Sequence, residues 1–100
     1  METNMTAFFV ARVTVKDGAK FQEYAQKAMA TFAAHGGELV LRGAAQDALA
    51  GKHDHQSVAI VKFPDLGALN RWYESREYQE IIPLRDKAAK MKITSYEVPT

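Results

Sequence analysis

The chain has 100 residues, of which 47% are hydrophobic and 25% are charged, a balance typical of one globular domain with its own core. It carries 13 basic and 12 acidic residues, a formal net charge of +1. This argues against non-specific binding of nucleic acid, which depends on a strong positive field. No apolar run approaches the roughly 18 residues of a membrane span. The absence of cysteine excludes disulfides, thiolate nucleophiles and cysteine-based metal sites.

The N-terminal residues 1–6 are polar and show no periodicity. We expect them to form a flexible N-terminus, followed by a single domain over residues 7–98. These first residues lack the basic and apolar regions of a secretory signal. A cytoplasmic location and no association with membranes are therefore expected.

The first predicted element is a strand over residues 7–15, which read AFFVARVTV and are rich in β-branched and aromatic side chains. Every odd position in this run is apolar, whereas the even positions mix apolar with polar residues. Because alternate residues of a strand point to opposite faces, the odd face is expected to meet the domain's own helices.

A helix is predicted next, with Asp17 as its N-terminal cap. Apolar side chains recur after Asp17 at spacings of three and four, as on one face of an amphipathic helix. They are Phe21, Tyr24, Ala25, Ala28, Met29 and Phe32. The pair Gly36-Gly37 supplies the left-handed conformation that commonly ends a helix.

Two further strands and a loop are predicted in the middle of the chain. Residues 38–42 form the second strand, with Leu39 and Leu41 on one face and Val40 and Arg42 on the other. Residues 43–56 contain glycines and a polar HDH run, which predict a loop. The third strand covers residues 57–63 and ends before Pro64, which cannot extend a central ladder.

The last part of the chain is predicted to be helical before a final strand. Asp65 caps a second helix, which carries Leu66, Leu69, Trp72 and Tyr73. Ser75 is placed to cap a further helical segment, and Pro83 predicts a break or kink within its apolar pattern. Residues 91–98 form the fourth strand.

The resulting order is βαββαβ with an extra helical segment before the last strand, which is the pattern of an α+β ferredoxin-like fold. In this fold an antiparallel four-stranded sheet carries its helices on one face. The other face would expose Phe8, Val10 and Val40, and monomers seldom leave such an apolar patch in water. We therefore expect a homodimer in which the patch is covered by a second copy of the chain.

The sequence also resembles the uncharacterised family called domain of unknown function 1330. The segments that carry the resemblance are FFVARVTV, HGGELVLRG, LAG, VAIVKFPD, LNRWYESREYQ and LR (84–85), in that order. The resemblance implies the ferredoxin-like dimeric α/β-barrel fold, whose superfamily includes cofactor-free monooxygenases, isomerases and haem-handling proteins. It implies no particular reaction. This chain has Ala50 and Lys62 where the family usually carries acidic residues.

Arg12 and Arg42 are the most suggestive candidates for a binding site. Strand alternation predicts that both side chains lie on the open face of the sheet, where two guanidinium groups could hold a carboxylate or another anion. The alternative is a salt bridge across the sheet or the dimer interface, with Glu38 or Glu97 as partner. Arg42 is favoured of the two because it also matches the family motif.

Three residues of the helical region are further candidates for a ligand site. Trp72 and Tyr78 could form the apolar walls of a pocket between helix and sheet, with the Tyr78 hydroxyl available to a ligand. The alternative is a place in the core, which is where aromatic residues at helical spacing usually lie. Arg85, at the family's Leu-Arg position, is expected either to point back toward the sheet or to lie in solvent.

The sequence gives little support to other kinds of site. The histidines His53 and His55 have a spacing that can ligate zinc, but further ligands are lacking, so no metal is expected. The serines lack the context of a nucleophile elbow, and neither GxGxxG nor a P-loop occurs, so we expect no cofactor. General acid–base chemistry by His35, Glu38 or Arg85 remains open. The basic cluster of Arg85, Lys87, Lys90 and Lys92 is interpreted as complementing a helix C-terminus, not as a nucleic-acid site.

The leading hypothesis is a homodimer that binds a small, partly apolar, anionic molecule between sheet and helices. Arg42 would orient the ligand, with Arg12 in support. A structural or regulatory dimer without a ligand is the first alternative, and it predicts that no well-formed cavity exists. A cofactor-free monooxygenase or an isomerase is the second alternative. The sequence identifies no catalytic residue.

Overall fold

The computed structural model describes residues 6–52 and 56–99. Residues 1–5 of the expected flexible N-terminus, and both His53 and His55, lie outside this part of the chain. Its elements follow the predicted order, with three helices between the last two strands. They are β1 Ala7–Val15, α1 Gly18–Ala34, β2 Glu38–Ala44, β3 Ser57–Phe63, α2 Leu66–Glu74, α3 Arg76–Gln79, α4 Ile82–Ala88 and β4 Ala89–Glu97.

The four strands form one antiparallel sheet in the order β2-β3-β1-β4. The two central strands, β1 and β3, are therefore not consecutive in the chain. Helix α1 connects β1 to β2, and the helices α2, α3 and α4 connect β3 to β4. This topology confirms the predicted α+β ferredoxin-like fold. Among the described residues, no helix is both long and apolar enough to cross a membrane.

The ends of α1 follow from local sequence. The Asp17 carboxylate accepts a hydrogen bond from the backbone N–H of Lys20 at 3.1 Å, as the predicted cap requires. At the other end Gly36 has a φ of +78°, a conformation that favours glycine. A β-carbon on Gly37 would come within 2.7 Å of the Phe63 ring. Glycine at these two positions therefore allows the chain to turn directly from α1 into β2.

The caps of the later helices are also confirmed. The Asp65 carboxylate accepts a hydrogen bond from Ala68 N at 2.7 Å, and the Ser75 hydroxyl accepts one from Tyr78 N at 3.2 Å. The expected break occurs at Ile81, where a new helix, α4, begins with Pro83 in its first turn. Proline is tolerated there because the N–H that it lacks would have no partner within the helix.

The two faces of the sheet differ in burial, and we call the face toward the helices the inner face. On β1, Ala7, Phe9, Ala11 and Val13 lie on the inner face and are at most 5% exposed. Phe9 stacks on Trp72 of α2, with 4.9 Å between ring centroids. The prediction that the odd positions of β1 meet the domain's own helices is confirmed.

The predicted alternation of β2 is wrong because the strand contains a β-bulge. Leu39 pairs with Val61, but Leu41 pairs with Ile60, so the register shifts by one residue between them. The two leucines consequently lie on opposite faces, and Arg42, opposite Ala59, lies on the inner face. A bulge puts two residues of one strand opposite one of its partner, which reverses the facing of every residue that follows.

The other side of the sheet, which we call the outer face, carries an exposed apolar patch. Phe8 stacks on Tyr96 of β4 with 5.2 Å between ring centroids. Leu41 is 55% exposed and Tyr96 is 38% exposed. Cross-strand pairing places Val10 and Ile60 beside them. Val40, expected in this patch, is instead the bulge residue and is 49% exposed.

Candidate functional site

Small residues leave space between α1 and the inner face of the sheet. Ala11 and Ala59 are neighbours on β1 and β3, and Ala25 and Ala28 lie on the helix above them. Where large side chains face each other, as Phe9 and Phe32 do farther along, the gap is filled. Alanines on both sides therefore account for a cavity at this end of the core.

This cavity has a volume of about 410 Å³ and is lined mainly by apolar side chains. Its size falls within the range of about 300–1,000 Å³ typical of small-molecule sites. Its walls come from α1 and from all four strands. The lining residues are Phe9, Ala11, Val13, Phe21, Tyr24, Ala25, Ala28, Met29, Phe32, Leu39, Arg42, Gly43, Ala44, Ser57, Val58, Ala59, Val61, Met91 and Ile93.

Three lining side chains carry a polar group: Arg42, Tyr24 and Ser57. Arg42 is exposed and therefore lies where the cavity meets solvent, whereas Tyr24 is only 6% exposed and belongs to the interior. Within residues 6–52 and 56–99, no aspartate, glutamate or histidine lines the cavity. Its electrostatic character is therefore that of an apolar chamber with a single cation at the entrance.

A hydrogen-bonded series connects the cavity wall to the far side of the helical layer. The Tyr24 and Tyr78 hydroxyl oxygens lie 2.7 Å apart, and Arg85 donates from Nη1 to the Tyr78 hydroxyl at 3.1 Å. Arg85 also contacts the neighbouring Asp86 carboxylate at 3.3 Å. Three elements, α1, α3 and α4, are tied together in this way.

Burial dominates the protonation behaviour of this series. It raises the pKa of Tyr24, and the nearby Tyr78 raises it further. Burial also raises the pKa of Tyr78, against the opposing effect of its hydrogen bonds with Tyr24 and Arg85. Burial alone would lower the pKa of Arg85, but its hydrogen bonds to Tyr73 and Tyr78 outweigh this and the pKa is raised. The two phenols are therefore neutral and the guanidinium is charged near neutral pH.

Trp72 and Tyr78 belong to the core, as aromatic residues at helical spacing usually do, and neither forms the wall of the main cavity that the ligand-site hypothesis assigned to it. Trp72 is 1% exposed and Tyr78 is not exposed at all. The indole of Trp72 donates to the Thr31 hydroxyl at 2.9 Å, and the Tyr78 hydroxyl is engaged by Tyr24 and Arg85. Trp72 also borders a smaller crevice of about 190 Å³ beside Tyr73.

Arg12 and Arg42 do not share a face, which corrects the second expectation. Arg12 pairs with Val58 and Lys92, and therefore lies on the outer face, whereas the bulge directs Arg42 inward. Arg12 borders a separate crevice formed with the loop after β2. In the part of the chain that is described, neither arginine forms an ion pair, so neither makes the salt bridge across the sheet of its own chain to Glu38 or Glu97.

Comparison with known families places this arrangement in context. The family model described as domain of unknown function (DUF1330) matches residues 6–98. The chain belongs to the DUF1330 family. No curated protein matches it.

Solved structures similar to this DUF1330 chain share its fold at low sequence identity. A protein of unknown function from Rhodopseudomonas palustris, RPA0582, has a TM-score of 0.81 at 15% identity, covering 98% of this chain and 85% of its own. SnoaB, a cofactor-independent oxygenase from Streptomyces nogalater, has a TM-score of 0.70 at 18% identity, covering 96% and 95%. A dimeric ferredoxin-like protein of unknown function from Thermobifida fusca has a TM-score of 0.63 at 8% identity, covering 98% and 95%.

Ala50 and Lys62, the positions where the resemblance implied acidic residues, both lie away from the cavity. Lys62 pairs with Phe8 and is therefore on the outer face. Ala50 is in the loop after β2 and borders the crevice that contains Arg12. Neither residue therefore contributes to the lining of the cavity beneath α1.

The remaining candidates from the sequence also lie outside the cavity. The ring of His35 caps the end of α1, with Nδ1 at 3.2 Å from the carbonyl oxygen of Thr31. Glu38 begins β2 and is exposed. Of the basic cluster, Lys90 and Lys92 lie on β4 and not at a helix end. No group of three or more potential metal ligands occurs among residues 6–52 and 56–99.

Tyr24 is the functional candidate that the sequence did not single out. Its place in the apolar stripe of α1 predicted a core residue, and it is indeed buried. The hydroxyl meets Tyr78, which is 54 residues away in the chain. A tyrosine in an otherwise apolar stripe is the available signal, because a buried hydroxyl requires a partner.

Proposed function

We propose that this protein binds a small apolar molecule with an anionic group, and that it does so in the cavity between α1 and the sheet. The observation that carries the proposal is that Arg42, which is exposed, is the one charged side chain among the described residues that line a mainly apolar cavity. The chamber would bury the apolar body of the ligand, and the guanidinium of Arg42 would hold its carboxylate.

The bulge in β2 supports this role for Arg42. Without the bulge, simple alternation along β2 from Leu39 would place Arg42 on the outer face, away from the cavity. Bulges are common near functional sites because they redirect a side chain. An arginine forms two parallel hydrogen bonds with a carboxylate, so its placement at the mouth favours this class of anion.

The hypothesis of a structural dimer without a ligand accounts less well for the presence of the cavity. Packed cores contain few voids larger than a water molecule, since each unfilled space forfeits dispersion and hydrophobic stabilisation. A space of about 410 Å³ that is open beside an arginine is more readily understood as a site than as a packing defect.

Oxygenase or isomerase chemistry, the other alternative, would need a base to remove a proton from the substrate. No carboxylate or imidazole lines the cavity in the described part of the chain. The resemblance to the oxygenase SnoaB, at 18% identity, extends to the fold. Binding is therefore the better supported function.

A homodimer formed through the outer face is part of the proposal. The patch around Phe8, Val10, Leu41, Ile60 and Tyr96 is apolar and lies on the side of the sheet opposite the cavity. A similar structure, the Thermobifida fusca protein, is dimeric. Two copies packed sheet to sheet would cover the patch and leave both cavities accessible.

The test compares Arg42→Ala with Arg12→Ala, a matched loss of one arginine from the opposite face. The probe is 2-naphthoate, an apolar body with one carboxylate, and its neutral counterpart is naphthalene. We expect Arg42→Ala to weaken 2-naphthoate binding at least tenfold, the effect of losing a charge-assisted contact of about 1.5–3 kcal/mol. Arg12→Ala should leave it unchanged, and naphthalene binding should differ little among the three proteins.

Titration calorimetry or quenching of naphthoate fluorescence gives these affinities. Equal affinity of 2-naphthoate for the wild type and Arg42→Ala would refute the role of Arg42. Failure of both probes to bind the wild type would refute the cavity as a site for apolar molecules. A larger loss in Arg12→Ala than in Arg42→Ala would move the site to the outer face.

A further inference from the structure

The hydroxyl groups of Tyr24 and Tyr78 carry two protons, and the hydrogen bond between them uses only one. Each phenol can donate one hydrogen bond and can also accept. The two oxygens meet at 2.7 Å, and this contact uses one proton. Arg85 donates to Tyr78 and cannot accept in return. One hydroxyl proton of the pair therefore has no acceptor among the described residues.

Burial indicates which tyrosine holds this unpaired donor. Tyr78 is fully buried, does not line the cavity, and meets only Tyr24 as an acceptor for its hydroxyl. An unsatisfied donor at that position would cost about 1–3 kcal/mol. Donation from Tyr78 to Tyr24 removes the cost and leaves the free proton on Tyr24, which does line the cavity.

Arg85 stabilises this arrangement through its hydrogen bond to the Tyr78 hydroxyl. Its guanidinium points at the Tyr78 oxygen, with 3.1 Å between Nη1 and the hydroxyl, and the Arg85 side chain is only 16% exposed. A cation at this oxygen increases the acidity of the Tyr78 proton and so strengthens its donation to Tyr24. The Tyr24 hydroxyl, polarised in turn, becomes a better hydrogen-bond donor.

We propose that Tyr24 is a ligand-binding residue that donates a hydrogen bond to an oxygen of the bound molecule, and that the ligand is an apolar carboxylate with a carbonyl group at its buried end. The proposal rests on the proposed function and specifies its ligand class. Arg42 at the mouth would hold the carboxylate, and Tyr24 in the interior would hold the carbonyl oxygen. The apolar walls between them would enclose the hydrocarbon body.

The test uses a neutral pair of probes, so that it does not depend on Arg42. They are 2-acetonaphthone, which carries a carbonyl, and 2-ethylnaphthalene, which has nearly the same shape without one. We define the preference for the ketone as the ratio of its affinity to that of the hydrocarbon, because the two probes differ in the cost of leaving water. This preference should fall about tenfold in Tyr24→Phe, the value of one hydrogen bond in a buried site, while binding of the hydrocarbon is retained.

Tyr96→Phe is the matched control, because it removes a tyrosine hydroxyl from the outer face of the sheet. It should keep the preference for the ketone. Thermal unfolding establishes that each variant is folded. A preference that persists in Tyr24→Phe, or one that is lost equally in Tyr96→Phe, would overturn the assignment.

A measurement on the wild type alone gives a second, independent test. The infrared carbonyl stretch of bound 2-acetonaphthone should move to lower wavenumber than in hexane, because a hydrogen bond weakens the C=O bond. A bound ketone with its hexane frequency overturns the Tyr24 proposal and leaves the apolar site intact. If neither probe binds, the proposed function itself fails.

Discussion

Tyr24 and Tyr78 are buried phenols whose pKa values are both raised above the usual one, mainly by burial. The unfolded chain titrates its tyrosines near a pKa of about 10. Above that pH the unfolded state binds fewer protons than the folded state, so the free energy of unfolding falls as pH rises. The loss begins as pH rises through the unfolded value and continues until the folded pKa values are reached. Two such groups give a slope of about 2.7 kcal/mol per pH unit.

Urea unfolding between neutral and strongly alkaline pH measures this slope. The double variant Tyr24→Phe/Tyr78→Phe has lost both titrating hydroxyls and should show a much smaller alkaline decline, even if it is less stable at neutral pH. Tyrosinate absorbance in the near ultraviolet should rise together with unfolding for these two residues and not before it. An equal decline in the double variant would contradict the assignment of the alkaline loss to this pair.

In strand β2, the pairing of Arg42 with Ala59 sets the facing of Arg42, and the bulge accommodates one additional residue before it. Leu39 and Leu41 already pair with consecutive residues of β3, Val61 and Ile60, so Val40 is the additional residue. Deletion of Val40 should therefore leave a regular ladder with Arg42 still on the inner face. We expect the deletion variant to bind 2-naphthoate within about threefold of the wild type, since such a change is below 1 kcal/mol.

Val40→Ala is the control that removes the side chain but keeps the bulge. Fluorescence titration compares the two variants with the wild type, and circular dichroism confirms that the sheet is retained. A loss of tenfold or more in the deletion variant, with Val40→Ala unaffected, would show that the facing of Arg42 depends on the additional residue. The explanation of Arg42 by the present register would then be wrong.

The elements that the sequence predicts well are those in which short-range signals agree. The alternation of β1, the caps at Asp17 and Asp65 and the glycines after α1 act over a few residues, and the structure confirms all of them. The bulge leaves no such trace, because the apolar run LVL within ELVLR fits either face of a strand and marks no additional residue. Its register is set by pairing with β3, which the local pattern does not contain.

The candidate site was predictable in kind and only partly in composition. Arg42 could be selected as a cation near an apolar surface, but the bulge placed it on the face opposite to the expected one. Trp72 and Tyr78 have the spacing typical of core residues, and their contacts with residues of α1 and α4 place them in the core. Tyr24 acquires its role from a contact across 54 residues, which no periodicity reveals.

At the scale of the whole molecule, the sheet separates two apolar surfaces. The inner face is covered by helices and contains the cavity, whereas the outer face exposes Leu41 and Tyr96 around Val10 and Ile60. Because the cavity is built within one chain, the proposed binding and the proposed dimer use different faces. They can therefore be separated by substitution.

Val10→Lys tests the dimer. Val10 pairs with Ile60 and Thr94 at the centre of the outer patch. A lysine there is tolerated in a monomer, where its amine reaches water, but two lysines buried between packed sheets lack compensating charges and cost several kcal/mol. Sedimentation velocity should find the wild type at twice the chain mass and Val10→Lys at the chain mass.

Leu49→Lys is the control, because Leu49 is 97% exposed in the loop after β2 and does not belong to the patch. It should remain dimeric. Monomeric Val10→Lys should still bind 2-naphthoate, since the cavity needs no residue from a second copy. A dimer that persists in Val10→Lys would place the interface elsewhere, and a monomer that has lost 2-naphthoate binding would mean that pairing of the two sheets holds the cavity in shape.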